Sequence, residues 1–519
     1  MKILNPRLIL INNISTASRL IAFLAVSFLM TPFLVKTLGT TLYGLWAMVQ
    51  SALGYFTLMN MGMPSAVMKF VAESSGKEDR VAISEVITAA LVFYGIIVLI
   101  GGIILAGLLA WGIPLFHMKT NEADVVWILL LILGIDMLCT FAGSVFHGVL
   151  TGYQRFYAAN SVDILCTLTG GVAVYIMLSL GYGIKAMALI TLFMNVLKWL
   201  VITGLVFFRY RFFSFAEIRF NPVQFWRMVS FGTKSLFAII AGRIHYGSDA
   251  LIIGAFLTPA MVPFYLIPAN LINYSRSFLL SITQSFLPLF SHLEAKGDNA
   301  SMTTIYLQYT RLTLLVFLPL LVMLSFFGET FMGLWMGPEY GRIGGPVILL
   351  LTISLAFSGI QPLSERLLTG TSRQGVLVWT GFTAAAVFLI IGLLLVKQHG
   401  LTGLATAFLI SSLGPSFFIL KRSLSVMNIP LRTFLAKCLY PNLWPVIAAS
   451  AISAYIRLFH CPQGYGALLI SMMCVCVFYV LVGYFSALTA HERRLIRQEL
   501  KSRSTSLKLF IKLLWRKPL

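Results

Sequence analysis

Uncharged apolar runs of about 20 residues recur from one end of this chain to the other. Coiled as a helix, such a run rises about 1.5 Å per residue and spans the ~30 Å hydrocarbon layer of a bilayer. Backbone in lipid must satisfy its own polar groups, which leaves only helices and closed barrels. The runs lack the period-two alternation of a barrel, so the chain reads as an all-α membrane protein. About fourteen spans follow, at roughly 10–33, 42–63, 84–110, 125–147, 160–180, 185–208, 229–257, 262–288, 306–327, 345–367, 376–396, 402–420, 438–457 and 465–488. Charged residues make up only 11% of the chain, where a soluble protein carries about a quarter. The first run is too long and too polar at its start for a cleaved signal peptide, and reads as the first span.

A formal net charge of +21 raises nucleic-acid binding as a reading. The placement of the basic residues argues against it, because they sit in short loops between spans. Lys2, Lys69, Lys77, Arg155, Lys296 and Arg373 fall on one side, with the Arg-rich stretch at 209–227. Lys36, Lys119, Lys185 and Arg342 fall on the other. By the positive-inside rule the first side is cytoplasmic, with both termini.

The layout of residues 34–80 returns once. A shift of 219 places Leu38 on Leu257, Met68 on Leu287, Lys77 on Lys296 and Asp79 on Asp298, with no gap. A repeat in a membrane protein points to a two-lobed transporter with its substrate site between the lobes. The expected organisation is two pseudo-symmetric lobes around a central cavity. An N-terminal lobe occupies 1–208, a cytoplasmic linker 209–228, and a C-terminal lobe 229–422. Two additional helices fill 423–488 and a basic amphipathic tail 489–519. The linker reads equally as a plain interfacial helix with its aromatics among headgroups. From His491 onward the tail has nine Lys/Arg and two acids. It suits a helix lying on anionic lipid, or a solvated orientation signal.

Polar residues inside spans are costly unless they face a cavity or a partner. Asn12, Ser15 and Arg19 share one face of span 1. Gln50 lies in the matching stripe of span 2. Span 7 carries Lys234, Arg243, His245 and Asp249. Span 8 carries Asn273 and Arg276. The cations outnumber the single acid, which predicts a hydrated, net-positive cavity suited to a phosphate or carboxylate. Arg19, Arg276, Lys234, Arg243, Asn273 and Gln50 are the expected substrate-binding residues. Small polar residues in the same stripes also serve helix packing, and Lys234 could snorkel to the interface. Asp249 could neutralise Lys234 or Arg243, or carry a coupling proton or sodium ion. His245 could titrate near neutral pH or be a hydrogen-bonded helix residue. Asp136, Asp163, Glu365 and Arg366 read as structural residues near span ends.

No enzyme constellation is present: no Gly-rich phosphate loop, no GxSxG, no HExxH, and no acidic pair in a sizeable loop. The cysteines sit mostly in apolar runs, which predicts neither a disulfide framework nor a metal site. No cofactor is implied.

The run VKTLGTTLYGLWAM, followed by LMNMGMPSAVMKFVAE, resembles the opening of the polysaccharide flippases. These export O-antigen, exopolysaccharide and related lipid-linked oligosaccharides. The matching positions are Leu38, Gly39, Tyr43 and Gly44, then Asn60 and Gly62, then Phe70, Ala72 and Glu73. Asp249, Gly254 and Tyr265, and the run VLTGYQRFYAANS, are also similar to the family. The resemblance implies the fold of the multidrug and toxin exporters. It implies alternating access that carries a polyprenyl-diphosphate-linked glycan from the inner to the outer leaflet. Membrane lipids are implied partners, as are glycan-assembly proteins such as a polysaccharide polymerase. It also implies cations gripping the diphosphate, and Arg19, with Arg276 by position, matches that role. Two departures stand out. Asn60 replaces the usual acid, and fourteen spans is the number expected of peptidoglycan lipid-precursor flippases. A cation-coupled multidrug exporter of the same fold is the alternative, and it predicts acids as the main cavity charges.

Overall fold

A computed structural model describes residues 6–77, 79–112, 120–210, 219–494 and 498. The described residues are helical almost throughout and contain no strand. The first helix, α1 (Pro6–Gly54), holds two spans broken at Gly39, whose φ of +81° favours glycine. A 3₁₀ turn, Tyr55–Asn60, follows. Met61 and Gly62 then both take left-handed backbone and reverse the chain into α2 (Met63–Gly76). Pro64 fits the first turn of α2, where its missing N–H costs nothing.

Next come α3 (Arg80–Gly107), α4 (Thr120–Gly152), α5 (Phe156–Ser179) and α6 (Gly183–Gly204). They are followed by α7 (Pro222–Gly247), α8 (Asp249–Phe256), α9 (Val262–Thr283) and α10 (Phe286–Lys296). The rest are α11 (Asn299–Met336), α12 (Pro338–Ser358), α13 (Gln361–Gly370), α14 (Gly375–Val426), α15 (Leu431–Phe434), α16 (Tyr440–Phe459) and α17 (Tyr465–Ser486). Gly400, at φ +57°, breaks α14 as Gly39 breaks α1.

Among the described residues ten helical stretches are long and apolar enough to cross a membrane. The breaks at Gly39 and Gly400 divide two of them. With α7–α8 and α9, whose polar faces keep them out of that set, the fourteen expected spans are all helical. Large apolar side chains such as Leu29, Ile103, Phe193 and Leu458 are exposed, as lipid-facing positions are.

The internal repeat has a physical counterpart. Asp79 caps α3, its carboxylate accepting from the Ala82 amide at 3.0 Å. Asp298, 219 residues on, caps α11 through the Ser301 amide at 3.0 Å. Before each cap lies a short helix with one buried face. In α2 that face includes Val67, Val71 and Ser74. In α10 it is Phe286, Phe290 and Leu293, the same three positions shifted by 219.

The chain forms two compact units. One comprises residues 1–267 with 381–407, and the other 268–380 with 408–519. In the second, Phe290, Leu293, Met302, Tyr306, Leu367, Leu424 and Phe434 form one core. Val322, Phe327, Ala449, Val475 and Tyr479 join α11, α16 and α17 in another. Residues 211–218 of the expected linker lie outside the described residues, as do 495–497 and 499–519 of the expected tail.

Candidate functional site

Within the first unit a cavity of about 580 Å³ lies among α1, α4, α5 and α6. Two basic and two acidic side chains line it: Arg19 from α1, Asp136 from α4, Asp163 from α5 and Lys198 from α6. Arg19 Nη1 stands 3.9 Å from Asp163 Oδ2, and the Arg19 side chain keeps 49% of its surface exposed. A pair at that distance and exposure holds loosely, so Arg19 retains donors for another anion. Between α6 and α4 Asn195 Nδ2 donates to Asp136 Oδ1 at 2.7 Å and to Thr140 Oγ1 at 2.7 Å. Lys198 Nζ lies 4.2 Å from the centre of the Trp199 ring. Close helix approach builds these walls. A Cβ on Gly143 would fall 2.3 Å from the Trp199 ring, so α4 and α6 meet where α4 has no side chain.

Asn12 and Ser15, expected on the same face as Arg19, bind protein instead. Asn12 Nδ2 donates to the Gln154 carbonyl at 2.9 Å, and its Oδ1 accepts from the Tyr157 amide at 3.2 Å. That clamps the α4–α5 turn to α1. Ser15 Oγ accepts from Asn160 Nδ2 at 3.0 Å. The sequence reading of Asp136 as a structural residue near a span end does not match its position, whereas Asp163 does lie near the start of its span. Asp136 lies mid-helix in α4, and both carboxylates line the cavity. Lys198 is the cation that the reading missed. The available signal was an ammonium well inside the span at 185–208, where the bilayer makes charge costly.

Three other candidates of this unit, Arg243, His245 and Asp249, lie around the break between α7 and α8. Arg243 Nη2 donates to the Ser51 carbonyl at 2.9 Å, with its guanidinium 5.3 Å from the centre of the Tyr55 ring. Glycines flank it. A Cβ on Gly54 would fall 1.5 Å from Nη2, and one on Gly247 would fall 3.0 Å from Cζ. Ser51 Oγ donates to the Gly247 carbonyl, and the Tyr55 and Ser248 hydroxyls meet at 2.6 Å. His245 is buried with its ring edge-on to Tyr246 and Phe388. Asp249 is 6% exposed, and its Oδ1 has no hydrogen-bond partner among the described residues. Gln50 is exposed. Lys234 belongs to α7, but its side chain lies outside the described residues.

Asn273 and Arg276 belong to the second unit, on α9. Arg276 and Arg366 both act electrostatically on Glu365 of α13. The structure therefore gathers Arg19 with Lys198, Asp136 and Asp163. It seats Arg243, His245 and Asp249 around the α7–α8 break, and keeps Asn273 and Arg276 with the second unit.

Comparison with known proteins bears on this arrangement. A family model described as polysaccharide biosynthesis protein matches residues 12–294, more than half of the chain. EpsK of Bacillus subtilis strain 168, described as an uncharacterized membrane protein, is 23% identical over 361 residues. That match covers 66% of this chain and 70% of EpsK. Among solved structures, the lipid II flippase MurJ in an inward closed conformation superposes with a TM-score of 0.68 at 15% identity. It covers 92% of this chain and 98% of its own. An inward-facing multidrug resistance MATE family transporter of the MOP superfamily gives 0.64 at 13% identity, covering 79% and 98%. At these identities the likeness establishes the fold, which is that of flippases and transporters.

Proposed function

This chain belongs to the polysaccharide biosynthesis protein family, and we propose that it flips a polyprenyl-diphosphate-linked oligosaccharide from the inner to the outer leaflet for surface polysaccharide assembly. The observation that carries this reading is the presence of Arg19 and Lys198 on one cavity inside a helical bundle. Two basic side chains inside the membrane suit a ligand whose charge is concentrated in two phosphates. In this reading Asp136 and Asp163 hold the cations while the cavity is empty and release them to phosphate oxygens. The weak geometry of the Arg19–Asp163 pair supports that exchange. The polyprenyl tail stays in lipid alongside the last two spans.

Alternating access would proceed between two lobes around a central cavity, at 1–208 and 229–422. Arg276 and Asn273, with Lys234, Arg243 and Gln50, would complete the grip on the substrate. Asp249 and His245 would couple the cycle to a proton or sodium ion. The unpartnered Asp249 oxygen supports this, because a buried carboxylate demands a proton or a cation. The membrane is the bacterial cytoplasmic membrane, with both termini cytoplasmic, as the loop charges imply.

The test is flipping of a fluorescent polyprenyl-diphosphate oligosaccharide by purified protein in vesicles. Arg19→Ala and Lys198→Ala are each expected to slow it at least tenfold at equal protein level, the loss of about 1.4 kcal/mol of binding or more. Unchanged flipping in both variants overturns the assignment.

Asp136 and Asp163 on the same cavity favour one other reading, a cation-coupled multidrug exporter. Transport of a lipophilic cation that survives Arg19→Ala and fails in Asp136→Asn would establish it. Complementation of a strain lacking its peptidoglycan-precursor flippase would assign the chain to that substrate instead.

A further inference from the structure

Three chain segments leave the apolar layer together at one end of the second unit. On α11, 17 uncharged residues (312–328) separate Arg311 from Glu329. Just before and along α16, 19 uncharged residues (438–456) separate Lys437 from Arg457. At about 1.5 Å per residue both stretches match the ~30 Å hydrocarbon thickness, so each pair of charges marks two interfaces. At one interface Arg457 Nη2 meets Glu329 Oε2 at 2.6 Å, and the charges balance. At the other they do not.

There a cavity of about 590 Å³ opens among α11, the turn Leu435–Leu439 and the segment after α17. Its lining includes Arg311, Lys437, His491, Gln308 and Thr304, against one acid, Glu492. That carboxylate is already fully engaged. Its Oε1 accepts from Arg311 Nη2 at 2.6 Å and from Gln308 Nε2 at 3.1 Å. Its Oε2 accepts from Arg311 Nη2 at 2.8 Å, the Thr489 amide at 2.7 Å and the Thr489 hydroxyl at 2.8 Å. Lys437 is exposed and has no ion pair among the described residues. Next to the cavity, Tyr440, Leu443, Trp444 and Ile447 of α16 present an exposed apolar wall.

We propose that this cavity binds the headgroup of an anionic phospholipid. Its phosphodiester accepts from Lys437 Nζ, and its acyl chains run down the apolar wall of α16. An interfacial cation with no ion pair among the described residues supplies the charge complement. The apolar wall selects a lipid over a free anion, because only a lipid covers both surfaces. The site does not depend on which glycan is flipped or on which side of the membrane this end faces.

The test uses purified full-length protein in neutral detergent. Retained phosphatidylglycerol and phosphatidylcholine are counted by native mass spectrometry, and thermal unfolding is followed with each lipid added. Phosphatidylglycerol is expected to be retained and to raise the midpoint, and phosphatidylcholine is not. Lys437→Gln is expected to weaken phosphatidylglycerol binding about fivefold, the effect of one interfacial cation. Lys437→Arg should preserve it. Lys421→Gln, an exposed cation of the same unit at the end of α14, should leave it unchanged. Equal retention of both lipids, or equal losses in Lys437→Gln and Lys421→Gln, overturns the proposal. So does stabilisation by inorganic phosphate that matches phosphatidylglycerol, which would make this a free-anion site.

Discussion

Replacing Gly54 with alanine should unseat Arg243, and the size of the effect can be worked from the contact. The new Cβ would lie 1.5 Å from Arg243 Nη2 and 2.3 Å from Cζ, where ordinary contact begins at 3.4 Å. The guanidinium must therefore retreat by about 2 Å, which breaks its 2.9 Å bond to the Ser51 carbonyl. A hydrogen bond from a charged donor contributes about 1.5–3 kcal/mol. Displacing the cation from the Tyr55 ring adds roughly 0.5–1 kcal/mol. Gly54 already has helical backbone, φ −59° and ψ −24°. Alanine there regains about 0.4–1 kcal/mol from the unfolded chain. The net loss should be about 1.5–3 kcal/mol.

Arg243→Ala should cost a similar amount. In the double variant no guanidinium remains to clash, so Gly54→Ala should then cost nothing further. Equilibrium unfolding in mixed micelles, run on all four proteins, measures this coupling. Additivity within about 0.5 kcal/mol would falsify the packing described here, because residues in direct contact should couple more strongly.

The two copies of the repeat should respond alike to loss of their caps. Asp79→Ala and Asp298→Ala are each expected to cost about 0.5–2 kcal/mol, read by the same unfolding assay. A null effect at either site would show that its cap does not hold the helix start. Glu492 should make the second unit sensitive to acid. Burial pushes its carboxyl up, but the Thr489 amide and hydroxyl and the Arg311 guanidinium outweigh that and hold it below its ordinary 4.5. A depressed carboxyl stabilises above that value and loses the contribution as pH falls through the lower folded one. The stability gap between the native chain and Glu492→Gln should therefore close below about pH 4.5, and a gap independent of pH would contradict the pairing. In single-cysteine variants, Cys166 on the cavity should react with a hydrophilic maleimide, while Cys438, fully buried, should not. Equal labelling rates would mean that the cavity is closed to water.

The amino-acid order alone determined the membrane class, the fourteen spans and the position of Arg19 inside a span. These depend on local quantities: the length of an uncharged run and a charge too costly to bury in lipid. Only tertiary structure decided what Arg19 faces. The stripe Asn12, Ser15, Arg19 reads as one polar face, yet its first two members are consumed by the α4–α5 turn and Asn160. Arg19 reaches the cavity with Asp136, Asp163 and Lys198, from three other helices. Helical periodicity specifies which residues share a face, but not how each helix is rotated about its axis against its neighbours. In lipid, where outer and inner surfaces are both apolar, that rotation is set by close contacts such as Gly143 on Trp199. Those contacts join residues far apart in the chain, so the grouping of charges around the cavity exists only once the helices have packed.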